Sequence, residues 1–372
     1  MNLRWLWPVT ALLIALVGCS SGEKPGDKGT GSSGGGGGAK RFIFMTNGDD
    51  PYWDACYAGF LEGEKAFKCA DAGITVVMEK GNGKAEGQIT KLRQYASQPD
   101  VAGIAISVIQ ADNPAVVDEM KKLQAKGVKI VTVDGDVNLE QFPDARPYYI
   151  GTNNVIGGKV LGTAGKELLA ARDVKEGGYV QFAGFTDNDN ARSRMNGFKE
   201  AVGDGYTELD RMADRMDLSR ARDNVRAALT KHPDLVALVG IWAYNAPAIT
   251  EVVDERKVRD KVTIVTFDAQ PVAIEQFGEG KIDAMVVQNP FDMGYQSVRL
   301  LKAMVEKDDA TIKEMFPNEG KPGGDIYTTG LRVVVPDTGS PLKAEMFDSK
   351  VVEFMTLTQF REWLAKYKLV GS

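Results

Sequence analysis

The sequence predicts an α/β fold with two doubly wound parallel-sheet lobes, and three observations lead to it. Ten short runs rich in β-branched and aromatic residues alternate with longer stretches of helical periodicity, the pattern of α/β proteins. Several runs are continuously apolar, as is typical of parallel strands that helices cover on both faces. About half of the runs fall on each side of Gly151, which favours two lobes over one large sheet. A (β/α)8 barrel also fits this number of strands and stays open as the alternative.

The predicted elements follow one another along the whole chain. Strands are predicted at 41–45, 74–79, 101–106, 129–133, 148–151, 179–183, 235–240, 261–267, 284–288 and 331–335. Helices are predicted at 55–67, 84–97, 114–126, 157–171, 192–202, 220–231, 246–256 and 294–306. A last helix is expected within 351–369, packed on one of the lobes.

The N-terminal residues predict export and a lipid anchor. Residues 1–18 combine a charged start with an apolar run at 6–17, which is too short to span a bilayer and reads as a signal peptide. The sequence Leu16-Val17-Gly18-Cys19 resembles the bacterial lipobox, which implies cleavage before Cys19 and acylation of that residue. An ordinary cleaved signal is the alternative. Residues 19–40 are rich in glycine and serine and are expected to form a flexible tether.

Composition excludes several classes of function. The 372 residues carry a formal net charge of −6, which argues against a nucleic-acid-binding protein, because that class needs a basic surface. His232 is the one histidine in the sequence, which argues against zinc sites built on several imidazoles and against Ser-His-Asp catalysis. We therefore expect no metal, no cofactor and no nucleic-acid partner.

Two cysteines follow Cys19. Cys56 and Cys69 would stand roughly 20 Å apart if one helix joins them, and a disulfide needs Cα atoms within about 7 Å. We expect two separate buried thiols.

The residues that follow the predicted strands are the candidate site residues, because open α/β sheets bind ligands beyond the carboxyl ends of their strands. They are carboxylates, amides, a guanidinium group and large aromatic rings. They are Asp50, Tyr52, Trp53, Asp134, Asn190, Arg192, Trp242, Asn245, Asp268 and Gln288.

This set of side chains suits a sugar or polyol. Carboxylates accept hydrogen bonds from neighbouring hydroxyls, a guanidinium group donates in a fork, and a flat ring covers the C–H face of a sugar. Tyr52, Trp53 and Trp242 are the candidate stacking rings. Each ring alone could equally be a packed aromatic at a helix start, but their recurrence at successive strand ends favours a ligand site.

Six motifs occur in a characteristic order. They are the turn at 50–53, the strand ending in Asp134, the crossing at 149–154, the A-R-x-R-x-x-G-F segment at 191–198, the strand ending in Asp268, and the crossing at 286–290 with Gln288. The ordered set resembles periplasmic substrate-binding proteins of the ribose-binding (type I) class, which feed ABC sugar importers. The similarity runs over about residues 41–335, and Ser107 stands where relatives often carry a ligand-binding asparagine.

The resemblance implies two lobes joined by three hinge crossings. Lobe 1 would comprise 41–150 and 290–325, lobe 2 would comprise 151–289 and 326–335, and 336–372 would form a C-terminal extension. It further implies that Arg192, the first arginine of its segment, binds ligand oxygens. Trp242, Gly135 and Leu218 depart from the usual family residues, which argues against ribose itself.

The implied function is that of a binding protein and not an enzyme. A monomeric lipoprotein, anchored in the periplasm or at the cell surface, would capture a small sugar or polyol between its lobes and pass it to an ABC transporter permease. A sensor presenting its ligand to a receptor fits the same features. A glycoside hydrolase using Asp50, Asp134 and Asp268 is the enzymatic alternative, and it would turn over an aryl glycoside.

Overall fold

The computed structural model describes residues 39–372. Its strands are β1 (Lys40–Met45), β2 (Ile74–Glu79), β3 (Val101–Ile106), β4 (Lys129–Val133), β5 (Tyr149–Gly151), β6 (Gly177–Ala183), β7 (Tyr206–Ala213), β8 (Leu235–Gly240), β9 (Thr263–Phe267), β10 (Ala284–Val287), β11 (Ile326–Thr328), β12 (Leu331–Val335) and β13 (Val352–Thr356). Its α-helices are α1 (Pro51–Ala66), α2 (Ala85–Tyr95), α3 (Pro114–Ala125), α4 (Asn154–Ala171), α5 (Asp189–Val202), α6 (Leu218–Lys231), α7 (Asn245–Arg256), α8 (Pro271–Gly278), α9 (Pro290–Glu306), α10 (Asp309–Met315) and α11 (Leu357–Lys366).

The strands form two sheets. The first sheet has six parallel strands in the order β11-β5-β4-β3-β1-β2. The second has seven in the order β13-β12-β10-β9-β8-β6-β7, parallel except for the antiparallel pair β10–β12. Apolar side chains from both faces of each sheet pack against helices. The α/β prediction is confirmed, and two separate sheets exclude the barrel.

The chain passes between the sheets three times, at residues 152–153, 288–289 and 329–330. The first and third crossings lie side by side, because the N–H and Oγ1 of Thr329 donate to the Gly151 carbonyl oxygen at 2.8 and 3.2 Å. This connectivity is the three-crossing hinge that the sequence predicts.

Two predicted assignments are corrected. β11 pairs with β5 and so belongs to the first sheet, whereas 326–335 was expected wholly in lobe 2. Residues 352–356, expected within a helix, form β13 beside β12, and α11 follows it. Phe360 and Leu364 of α11 lie in the core of the second sheet. Residues 336–372 are therefore not an appendage, because they complete that sheet.

The sequence analysis does not predict β7. Its sequence carries Glu208, Asp210 and Arg211, and these charges mask the alternation of a half-buried strand. The strand tolerates them because it is the edge strand of the second sheet, where one side is left unpaired.

Glycines allow close contacts between the helices that carry site residues. A Cβ atom on Gly158 of α4 would lie 2.1 Å from the carbonyl oxygen of Arg194 on α5. A Cβ atom on Gly294 of α9 would lie 1.8 Å from the carbonyl oxygen of Cys56 on α1. Any larger residue would push these helices apart, so both glycines fix the positions of α5 and α1.

The predicted signal, the predicted acylation site Cys19 and all but the last two residues of the predicted tether lie outside the described residues. Among residues 39–372, none of the helices has the length and apolar character needed to cross a membrane. Cys56 and Cys69 are both buried free thiols, as predicted. Burial raises the pKa of Cys69 to about 11, which disfavours a reactive thiolate.

Candidate ligand-binding crevice

Two aspartates follow strands in the two sheets with the same unusual backbone conformation. Asp134 follows β4 and Asp268 follows β9, with φ angles of 62° and 64°. The N–H of Asp134 donates to the Ile150 oxygen at 3.0 Å, and that of Asp268 donates to the Val286 oxygen at 2.8 Å. A left-handed conformation is unfavourable outside glycine, and residues held in it cluster at functional sites. These aspartates are the starting point for the candidate site.

Asp268 is held by an amide and a guanidinium group. Gln288 Nε2 donates to both carboxylate oxygens at 3.1 Å, and Arg194 Nη1 lies 3.5 Å from Asp268 Oδ2. The residue is only 6% exposed. Burial raises the pKa of Asp268 to about 6, against the opposing effect of Arg194. The carboxylate is therefore largely charged at pH 7 although it is mostly removed from water.

Arg194 projects from α5 into the same site. It is 2% exposed, its Nε donates to Asn154 Oδ1 at 2.9 Å, and its Nη1 donates to the Ile241 oxygen at 3.3 Å. The guanidinium carbon lies 4.0 Å from the ring centre of Phe267. These contacts fix the plane of the guanidinium group before any ligand arrives.

Asp134, at the end of β4 in the first sheet, lies near enough to Arg194 for the two charges to interact. Tyr52 Oη donates to Asp134 Oδ1 at 3.1 Å, and Tyr149 Oη donates to the backbone oxygen of Asp134 at 3.0 Å. Burial raises the pKa of Asp134, and the positive charge of Arg194 opposes that shift. Arg194 therefore acts on carboxylates from both sheets.

A hydrogen bond joins the two lobes at the crevice. Gln270 Nε2, two residues beyond Asp268, donates to Asp50 Oδ2 at 3.1 Å. Asp50 also caps α1, because its Oδ1 accepts from the Tyr52 N–H at 3.0 Å. The loops that carry the two sets of side chains thus meet directly.

Trp242, after β8, is held by a network of polar groups. Its indole Nε1 donates to Asn190 Oδ1 at 3.0 Å, and its backbone N–H donates to Asn245 Oδ1 at 3.0 Å. Asn245 Nδ2 and Tyr244 Oη donate in turn to the fully buried Asp214, at 2.9 and 2.5 Å. The predicted residues Asn190, Trp242 and Asn245 are thus connected: Asn190 holds the indole, and Asn245 holds the backbone of Trp242.

The arginine prediction is corrected. The Arg192 side chain is 54% exposed and pairs with Asp189 at 2.8 Å, whereas Arg194 occupies the crevice. Two residues along a helix turn a side chain through about 200°, so only one of the two arginines can face inward. Ala191, Met195 and Phe198 are buried at helical spacing with Arg194, and this apolar pattern is the sequence signal that identifies it.

Two further assignments are corrected. Trp53 is 4% exposed and packs in the core of the first lobe, with its ring centre 6.1 Å from that of Phe44, so it is not placed as a stacking surface. Ser107 is fully buried, and its Oγ accepts from Asn47 Nδ2 at 3.1 Å and from the Gly135 N–H at 3.2 Å. It supports the loop after β4 and does not face a ligand.

The structure brings together Asp50, Tyr52, Asp134, Asp268 and Gln288 from the predicted set. The sequence analysis does not identify Arg194, Tyr149, Gln270 and Asp214. Asp214 cannot be identified from the sequence pattern, because that pattern does not predict β7, the strand that precedes it. Within residues 39–372, no group of three or more His, Cys, Asp or Glu side chains could hold a metal ion.

Comparisons with known proteins agree with this architecture. The periplasmic binding protein domain model matches residues 41–309. The chain is 23% identical over 234 residues to the ribose import binding protein of Escherichia coli, covering 61% of this chain and 75% of that protein. It is 22% identical over 270 residues to the D-allose-binding periplasmic protein of the same species, covering 71% and 83%.

Solved structures show the same fold. A solute-binding protein from Burkholderia graminis in complex with D-arabinose gives a TM-score of 0.66 at 24% identity, covering 80% of this chain and 96% of that one. A glucose-galactose binding protein from Geobacillus stearothermophilus gives 0.65 at 24% identity, covering 80% and 98%. The family consists of extracytoplasmic binding proteins, not enzymes. Since the domain match covers well over half of its length, the chain belongs to the periplasmic binding protein family.

Proposed function

We propose that this protein binds a small sugar or polyol in the crevice and delivers it to an ABC importer. The observation that carries the proposal is the convergence of Asp134, Asp268 and Arg194 from two sheets. Carboxylates accept hydrogen bonds from neighbouring hydroxyls, and a fixed guanidinium group donates two in parallel. The names of the Escherichia coli relatives and the D-arabinose in the Burkholderia complex support this ligand class.

Aromatic groups complete the proposed site. Tyr52 lies beside Asp134, and Trp242 lies edge-on to Phe185 and Tyr244, with ring centres 6.2 and 6.4 Å away. Such rings offer apolar faces to the C–H groups of a sugar while their polar atoms are already bonded to protein.

We also propose that the two lobes move as units on ligand binding. The first would contain residues 40–151 and 290–328, and the second 152–289 and 329–372. A ligand that contacts Asp134 in one lobe and Arg194 in the other binds best when the lobes meet, so it increases the population of that arrangement.

The lipid anchor at Cys19 remains a proposal that rests on the lipobox resemblance. Two or three acyl chains hold a protein stably on a membrane. The glycine-rich residues beyond Cys19 would act as a flexible linker between the membrane and the folded part that contains the crevice. Replacing Cys19 with serine is expected to move the protein from the membrane fraction of cells to the soluble fraction. A Cys19→Ser variant that stays with the membrane contradicts the anchor.

Calorimetric titration with a panel of pentoses, hexoses and inositols tests the proposed function. At least one member should bind in the micromolar range or tighter, and chromatography should recover it unchanged. Asp134→Asn should weaken the binding without changing the unfolding temperature strongly. No binding of any panel member or of its amino derivatives contradicts the proposal, and consumption of the sugar would favour a glycoside hydrolase instead.

A further inference from the structure

Most side-chain donors around the crevice are already used by protein acceptors. Gln288 Nε2 serves Asp268, Gln270 Nε2 serves Asp50, and Trp242 Nε1 serves Asn190. Nearby, the Tyr244 hydroxyl and the Asn245 amide serve Asp214, and the Tyr52 hydroxyl serves Asp134. Among the donors named in this region of residues 39–372, Arg194 Nη2 and Asn190 Nδ2 are those without a protein acceptor.

Acceptors, in contrast, are left over. Gln288 is 2% exposed, and its Oε1 is buried with no hydrogen-bond partner among the described residues. A flipped Gln288 amide would place Oε1 next to the Asp268 carboxylate, where two acceptors would repel each other. The hydrogen bonds from Nε2 to Asp268 therefore fix the orientation of the amide. Asp134 receives one side-chain hydrogen bond within residues 39–372, from Tyr52 to Oδ1, which leaves Oδ2 without one. Gln288 Oε1 and Asp134 Oδ2 are therefore acceptors that a ligand could use.

The charges in the crevice are unbalanced. The Arg194 guanidinium group lies 3.5 Å from Asp268 and its charge also acts on Asp134, and no Lys or Arg of the described residues other than Arg194 pairs with either carboxylate. Two carboxylates and one guanidinium group give a net charge of −1. A second cation cannot come from the residue after Asp134, because a Cβ atom on Gly135 would lie 2.5 Å from the Val108 oxygen.

We propose that the preferred ligand of this crevice is an amino sugar or an aminated polyol, with its ammonium group between Asp134, Asp268 and Gln288 Oε1. This inference rests on the proposed function and narrows its ligand class. An ammonium group carries three donors, no acceptor and one positive charge, which matches both the free acceptors Gln288 Oε1 and Asp134 Oδ2 and the net charge. A hydroxyl donates one proton and leaves the charge uncompensated. Uronic acids and sugar phosphates would add a like charge and are disfavoured.

Calorimetry with matched ligands tests the inference. Each set contains a neutral compound, its amine and its N-acetylated amine: glucose, glucosamine and N-acetylglucosamine; galactose, galactosamine and N-acetylgalactosamine; sorbitol, 1-amino-1-deoxysorbitol and its N-acetyl form. The N-acetyl compounds keep the nitrogen and remove its charge. At pH 7, at least one amine should bind at least ten-fold more tightly than both of its partners.

Three variants locate the effect in the crevice. Asp268→Asn and Asp134→Asn each remove one charge, and each should reduce the ratio of amine to neutral affinity at least five-fold. Asp254→Asn removes the same charge from the surface, where Asp254 pairs with Lys281, and should leave that ratio unchanged. Circular dichroism checks that each variant is folded. If one crevice variant does not fold, the affinity ratio of the other is sufficient for the test.

The outcomes separate the two proposals. If neutral sugars bind at least as tightly as every amine, or if the ratio is unchanged in both crevice variants, the inference is overturned and the proposed function stands. If no compound of any set binds, the proposed function is contradicted together with it.

Discussion

At the scale of single residues, Arg194 connects the halves of the site. Its guanidinium group packs on Phe267, bonds to Asn154 and lies against Asp268, and its charge acts on Asp134 in the other sheet. The neighbouring Arg192 lies on the outer face of the same helix. These two residues therefore form a matched pair, alike in chemistry and opposite in placement.

Replacing Arg194 with alanine should weaken ligand binding by an amount on the order of 2–5 kcal/mol, because it leaves buried carboxylates without their cation. Arg192→Ala should change the affinity by less than about two-fold, since that pair is exposed. Calorimetry with the tightest ligand of the panel measures both. Equal effects of the two variants, or a larger effect at Arg192, would show that the wrong arginine has been placed in the crevice.

Asp268 should make the ligand-free protein sensitive to pH. Burial raises the pKa of Asp268 from its ordinary 3.8 to about 6, so the folded state holds the proton more tightly than the unfolded state. The protonated Asp268 carboxyl therefore contributes fully to the free energy of unfolding below about pH 4. This contribution is lost as pH rises through about 6 and has an upper bound of about 3 kcal/mol. Asp134 shifts in the same direction.

Asp268→Asn should therefore raise the unfolding temperature relative to the native chain at pH 7.5 more than at pH 4.5. Differential scanning calorimetry at the two values measures this difference. If the unfolding temperatures of the variant and the native chain differ by the same amount at pH 4.5 and pH 7.5, the Asp268 carboxyl is not in the buried environment that the structure shows.

At the scale of elements, the core strands were predictable and the edges were not. Apolar runs define the buried strands, and the bounds of β3, β4 and β8 match the sequence pattern to the residue. β7 carries charges, and β11 has three residues, so neither shows a period-two pattern. The prediction of the site residues is limited in a similar way. Identifying Asp214 requires that β7 be predicted, and identifying Arg194 requires knowing which face of α5 is buried.

Helix α11 links the second sheet to the crossing at 288–289. The Tyr367 ring, just beyond α11, lies 4.1 Å from the ring of Phe291 on α9, and Arg332 stacks on Trp363 at 4.1 Å. Arg332 Nη1 also donates to the backbone carbonyl oxygen of Gln288 at 3.4 Å. The segment therefore contacts the first lobe directly and reaches Gln288, which holds Asp268, through Arg332 of β12.

Tyr367→Ala should weaken ligand binding by roughly three- to ten-fold, because an aromatic pair contributes about 0.5–1.5 kcal/mol and this one joins the lobes. Glu362→Ala, on the exposed face of the same helix, is the control and should leave the affinity unchanged. Titration of both variants with one ligand decides the matter. An unchanged affinity in Tyr367→Ala would mean that this contact does not favour the bound arrangement.

At the scale of the whole molecule, the order of motifs identified the two-lobed fold although no motif alone was specific. What the sequence could not show is which side chains meet across the crevice, because Asp50 and Gln270 are joined only after three crossings bring the sheets together. The same limit explains why Trp53 and Ser107 were wrongly predicted to contact ligand, because their burial depends on packing from distant parts of the chain.

The most direct test of the central claim is a crystal structure of the protein with the tightest-binding member of the panel. We expect one ligand between the two sheets, with polar atoms within about 2.7–3.2 Å of Asp134, Asp268 and Arg194 together. A ligand held by one lobe only, or bound elsewhere while these three side chains keep their present contacts, would contradict it.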